Sequence, residues 1–106
     1  MGQRESLIKQ LGQFKKNASR DIPIEKLIFF GSRARGKPKK YSDVDLIVVS
    51  KIFKDMKFYK RPAKLYDHWD IDHPVDFLCY SPEEFRRVKR LSIVVEEAVR
   101  EGIEIK

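Results

Sequence analysis

Two short apolar runs constrain the fold of this chain more than any other feature. Leu27–Phe30, LIFF, is wholly apolar and closed by Gly31; Val44–Val49, VDLIVV, is rich in β-branched residues and carries one acid, Asp45. Runs of this length, closed by turn residues, fit buried strands better than helices. VDFLCY (Val75–Tyr80), with the single acid Asp76, is a third strand candidate. With 106 residues, 42% of them hydrophobic, the chain can build one compact core, so a single domain over residues 1–106 is expected.

The segments between the strands show helical spacing. Leu7, Ile8, Leu11, Phe14 and Ala18 recur every three or four residues, which predicts an amphipathic helix ending before Asp21-Ile22-Pro23. Ser32 is an N-cap type residue, and the breakers Gly36 and Pro38 follow, so SRARGKPKKYS reads as a short helix and then a basic loop. Lys51 to Arg61 has no clean period and is expected to form an irregular, mobile connection. Pro62 suits the first turn of a helix through PAKLYDHW. Ser81-Pro82-Glu83-Glu84 supplies a capping box, and another helix should run from about Ser92 to Glu101, with Gly102 as its stop and IEI (Ile103–Ile105) as an edge strand. The pattern is α+β.

The chemistry concentrates around the second strand. Residues two apart on a strand project to one face, so Asp43 and Asp45 should point together. Paired carboxylates suit Mg²⁺ or Mn²⁺, and two such ions about 4 Å apart can clamp a transferring phosphoryl group. Gly31 permits close backbone approach, and a helix beginning at Ser32 would turn free N–H groups and its positive dipole end toward phosphate oxygens. Arg33 and Arg35 follow at once; each can bind phosphate bidentately or serve as a surface ion-pair partner.

These residues carry a family resemblance. FFGSRARGKPKKYSDVDLIVV resembles the signature of the nucleotidyltransferase superfamily that includes DNA polymerase beta and kanamycin nucleotidyltransferase: a strand, Gly-Ser, an intervening stretch, then Asp-x-Asp inside an apolar run. GSRARG followed by SDVDL is especially similar to the short group called minimal nucleotidyltransferases. The resemblance spans Leu27 to Tyr80 in motif terms and implies a nucleotidyltransferase fold, a small mixed β-sheet flanked by helices. It also implies a third carboxylate, matched by Asp76, that helps bind metal or takes the nucleophile's proton. On this reading Asp43, Asp45 and Asp76 hold Mg²⁺ or Mn²⁺, Gly31, Ser32, Arg33 and Arg35 hold an NTP, and a nucleotidyl group, AMP if the NTP is ATP, passes to an acceptor hydroxyl with release of pyrophosphate. The minimal group further implies an antitoxin role beside a small helical HEPN-type protein, with a homodimer as the other assembly.

Two rival functions fit the same residues. One is a weakly active or inactive NTP-binding or partner-binding module of the same fold; the presence of all three acids favours activity. The other is a basic nucleic-acid-binding domain. Of the net charge of +7, the stretch Arg33 to Lys64 holds eleven Lys or Arg against three acids, and the rest of the chain twelve against thirteen. Such a concentration attracts polyphosphates, nucleic acid or an acidic partner.

Other features are less informative. Asp67, His68, Asp70, Asp72 and His73 gather zinc-ligand types without a recognised spacing and read as a polar loop. Phe58, Tyr59, Tyr66 and Trp69 could stack on a base, although packing is the simpler expectation. Cys79, the only cysteine, reads as a small core hydrophobe. No apolar run approaches the roughly 20 residues of a membrane span, and MGQRESLIKQ has no signal-peptide character, so a cytoplasmic location and no membrane partner are expected.

Overall fold

The apolar runs fold as the strands the sequence predicts and the periodic segments as helices. A computed structural model describes residues 2–38 and 42–106. In chain order the elements are α1 (Gln3–Ala18), β1 (Lys26–Phe30), β2 (Val44–Val49), α2 (Arg61–Tyr66), β3 (Val75–Tyr80), α3 (Pro82–Leu91), α4 (Ile93–Glu101) and β4 (Ile103–Glu104). The sheet is mixed, in the order β3-β2-β1-β4, with β2 and β3 parallel and the other pairs antiparallel.

Alternation along the strands divides the core in two. Leu27 and Phe29 of β1, Val44, Leu46 and Val48 of β2, and Phe77 and Cys79 of β3 pack with Leu7, Leu11 and Phe14 of α1 and Leu65 of α2. On the opposite face Ile28, Ile47 and Val49 meet Phe85 of α3 and Val95 and Ala98 of α4. The sheet is thus a layer between two helical layers, which explains why β2 is apolar at nearly every position.

Local chemistry sets several boundaries. Ser81 and Glu84 form the reciprocal capping box at the start of α3, and Ser92 caps α4 through the Val95 N–H at 3.3 Å. Pro62 lies in the first turn of α2, which ends at Tyr66 rather than running on to Trp69.

Between β2 and α2, where an irregular connection was expected, Lys51–Asp55 and Phe58–Lys60 form two 3-10 turns. Phe53 is buried there, and so is Arg61. The Arg61 guanidinium donates to the carbonyls of Met56 and Cys79, each at 3.0 Å, and to Glu84 at 2.7 and 3.1 Å. It also lies over the Phe53 and Phe58 rings. One of the eleven basic residues of the central stretch is therefore a buried tie between the connection, β3 and α3.

Cys79 is buried and its thiol is pushed up to about 12, mainly by desolvation, so it stays protonated and packs as a hydrophobe. Trp69 and Tyr66 pack against Phe77, with the indole N–H donating to the His73 carbonyl at 2.9 Å and the phenol to that of Val75 at 3.1 Å. Those hydrogen bonds and ring contacts place both in the fold, in line with the packing expectation.

Candidate active site

The acids stand at one end of the sheet. In the register Phe30 pairs with Asp45 and Asp45 with Asp76, so one row crosses three strands on the face that carries α3 and α4. Neighbouring strands lie about 4.8 Å apart, which makes the two carboxylates immediate neighbours. Asp43 precedes the first residue of β2 and is exposed, as is Asp76, while Asp45 is half-buried.

The electrostatics of Asp45 report this crowding. Its carboxyl pKa is raised above the usual value, first by desolvation and then by the charges of Asp76 and Asp43; Arg35 acts in the opposite direction. All three acids therefore share one field, and Arg35 is near enough to oppose it.

Gly31 forms the other wall. Its φ is +84°, a region that side chains rarely adopt, and a Cβ there would overlap Oδ2 of Asp45. The chain thus turns directly against the carboxylate, and glycine is required twice over.

The segment after it corrects the sequence expectation. Ser32 does not begin a helix: residues 32–36 form a turn, in which the Arg35 N–H donates to the Gly31 carbonyl at 3.1 Å, Gly36 to Arg33 at 3.2 Å and Lys37 to Ser32 at 3.0 Å. Gly36, at φ +77°, and Pro38 stop propagation after one turn, and one turn is too short to sustain a helix. No helix dipole is available at Ser32; any anion there would meet turn N–H groups and side chains. The Ser32 hydroxyl has no intramolecular hydrogen bond among the described residues.

Arg33 and Arg35 differ in their settings. Arg33 donates from Nε to the Ser42 carbonyl at 2.8 Å, which ties the turn to the residue before Asp43. Arg35 is exposed and lines two pockets beside the turn. One, of about 190 Å³, is largely apolar and lies against α4, between Phe30, Ala34, Val94 and Ala98. The other, of about 420 Å³, is more polar and includes Arg4 of α1 and His73. Lys39 and Lys40 of the expected basic loop fall outside the described residues.

The donor set consists of hard oxygens and fits a divalent cation such as Mg²⁺. Three like charges repel, and the carboxylates are not drawn to one point: among the described residues no three His, Cys, Asp or Glu side chains converge as a ligand set. In the Asp67–His73 segment, His68 pairs with Asp21 at 2.9 Å. Arg4 lies far from the motif in sequence and carried no signal of its place beside it.

The comparisons with known proteins bear on the same region. The family model for the nucleotidyltransferase domain matches residues 9–100. The chain is 35% identical over 79 residues to a Haemophilus influenzae protein named Probable protein adenylyltransferase MntA, covering 72% of this chain and 69% of that one. A crystal structure from Sulfolobus solfataricus, described as that of a candidate nucleotidyltransferase, superimposes with a TM-score of 0.66 at 24% identity, over 95% of this chain and 80% of its own, a likeness in fold.

Proposed function

From the premise that this chain belongs to the nucleotidyltransferase domain family, as a transferase of the minimal kind, we propose that it moves AMP from ATP to a hydroxyl on a protein, with divalent metal. The observation that carries the proposal is the Phe30–Asp45–Asp76 row with Gly31 against the Asp45 carboxylate. A carboxylate cluster facing a glycine turn with a free serine hydroxyl and an exposed arginine can gather a polyphosphate and its counterions at one place.

Within a single domain over residues 1–106, the roles divide by position. Asp43 and Asp45 would hold Mg²⁺ or Mn²⁺, with Asp76 completing the set. The bound cations would polarise the α-phosphate and screen the triphosphate from the acids. The N–H groups and hydroxyl of Gly31 and Ser32 orient the phosphates, and Arg35 offsets their charge. The acceptor oxygen attacks the α-phosphorus, the bond from that phosphorus to the bridging oxygen of the β-phosphate breaks, and pyrophosphate leaves with that electron pair. Asp76 would also take the hydroxyl proton, a role supported by its exposure and its register with Asp45.

The name of the Haemophilus relative motivates a protein acceptor. The family resemblance adds a HEPN-type partner, or a second copy of this chain, as the assembly that presents it. No helix among the described residues is long and apolar enough to cross a membrane. A cytoplasmic setting, where ATP and Mg²⁺ are plentiful, suits the reaction.

Calorimetry with ATP, with Mg²⁺ and then with excess EDTA, tests the binding step: affinity should be lost with EDTA, because carboxylates and triphosphate repel without cations between them. Label on the α-phosphate, and not on the γ-phosphate, should pass to the acceptor. Equal ATP affinity in both conditions would remove the metal from the proposal.

A further inference from the structure

The larger pocket beside the turn is not explained by the motif. It lies between the start of α1 and the Gly31–Pro38 turn, and its volume of about 420 Å³ is in the range of small-molecule sites. Arg33 and Arg35 reach it from the turn, Arg4 from the first turn of α1, and His73 from the loop before β3.

Three guanidinium groups around one cavity repel each other unless an anion lies between them. Among the described residues their bonds leave most of their donors unused. Arg33 commits Nε to the Ser42 carbonyl at 2.8 Å, and Arg4 commits one N–H to the Ala34 carbonyl at 3.3 Å, of five available on each side chain. Among the described residues the lining holds one acid, Glu5, which meets Arg4 at 3.7 Å with both side chains about half exposed, a weak pair.

Arg35 connects this pocket to the carboxylates, since it lines the pocket while its N–H is bonded at 3.1 Å to the carbonyl of Gly31, which abuts the Asp45 carboxylate. An anion held by Arg4 and Arg35 would therefore extend from the acid cluster toward α1.

Resting on the nucleotidyltransferase reading, we propose that this pocket takes the terminal phosphates of the nucleotide, and the pyrophosphate after transfer, with Arg4 as a phosphate-binding residue supplied by α1. The second pocket cannot replace it, because that one is apolar and lined by Glu97 and Glu101. Arg4 then discriminates a triphosphate from a monophosphate, while the acids act at the α-phosphate.

The test measures binding of magnesium tripolyphosphate, Mg-ATP and AMP to the full chain by calorimetry, for the parent and for Arg4→Gln, Arg4→Lys and Glu5→Gln. Arg4→Gln should weaken tripolyphosphate and ATP by about tenfold or more and leave AMP unchanged. Arg4→Lys keeps the charge without the fork and should restore part of the loss. Glu5→Gln should tighten tripolyphosphate. Melting curves establish that each variant is folded, as the half-exposed Arg4 side chain allows. Parental affinity for tripolyphosphate and ATP in Arg4→Gln would overturn the role of Arg4 and leave the nucleotidyltransferase reading standing. Arg4-dependent tripolyphosphate binding by a parent that binds no ATP would do the reverse. A parent that binds no tripolyphosphate overturns the pocket.

Discussion

Replacing Gly31 with alanine should reveal how tightly the turn is built against Asp45, and Gly36 supplies the reference. Both glycines have positive φ, +84° and +77°. At Gly36 an added Cβ would meet only the Arg4 guanidinium at 3.6 Å, so Gly36→Ala carries the conformational cost alone, about 1 to 2 kcal/mol. At Gly31 the same Cβ overlaps Asp45 Oδ2 and comes within 3.1 Å of its Cγ and 3.3 Å of its Cβ. Rotating the carboxylate relieves the first contact and not the last, so β2 must also shift, adding about 1 to 3 kcal/mol. Gly31→Ala should then cost about 2 to 5 kcal/mol in total, a fall in Tm of roughly 10 °C or more for a domain of this size. Urea unfolding followed by Trp69 fluorescence gives both values, since the indole packs on Phe14 and Phe77. Repeating Gly31→Ala in an Asp45→Ala background should lower its cost toward the Gly36→Ala level, the remainder coming from the 3.3 Å contact with the Cβ that alanine keeps. An identical cost in both backgrounds would refute the close approach of turn and carboxylate.

Asp45→Asn should abolish transfer and leave the metal-free protein as stable as the parent or slightly more so. With its folded pKa raised, Asp45 binds a proton more tightly in the native state. Its cost is present at neutral pH and is relieved as pH falls through that raised value, so the parent's advantage in acid should vanish in the variant's pH–stability profile. Glu84→Gln should cost about 2 to 4 kcal/mol in urea unfolding, because it leaves the buried Arg61 charge without its partner. Glu84 has a lowered pKa, chiefly from its hydrogen bond with Arg61, so its contribution is present above the ordinary carboxylate value and lost as pH falls through the depressed one. Ser32→Ala should weaken Mg-ATP binding by about 1 to 2 kcal/mol in calorimetry, the scale of a hydrogen bond to a charged group, with no loss of Tm.

What the sequence determined by itself were the features with local causes. The runs Leu27–Phe30, Val44–Val49 and Val75–Tyr80 are strands because their residues suit buried pleated surface, and α3 begins at Ser81 because the capping box closes within four residues. Gly-Ser and Asp-x-Asp were legible as a motif because their spacing along the chain is short.

Tertiary structure decided the rest. Only the parallel register of β2 and β3 sets Asp76 beside Asp45, and only the packing of α1 brings Arg4 to the turn. Arg61 counted in sequence as one more surface cation, yet the fold buries it against Glu84, 23 residues away. The Ser32 segment failed the other way: its composition permits a helix start, but Gly36 and Pro38 end it after one turn, before propagation can offset the entropy of nucleation. Local propensity acts over a few residues, whereas a site made of charges depends on which distant groups share a low-dielectric boundary, and that is fixed only when the sheet and its helices close.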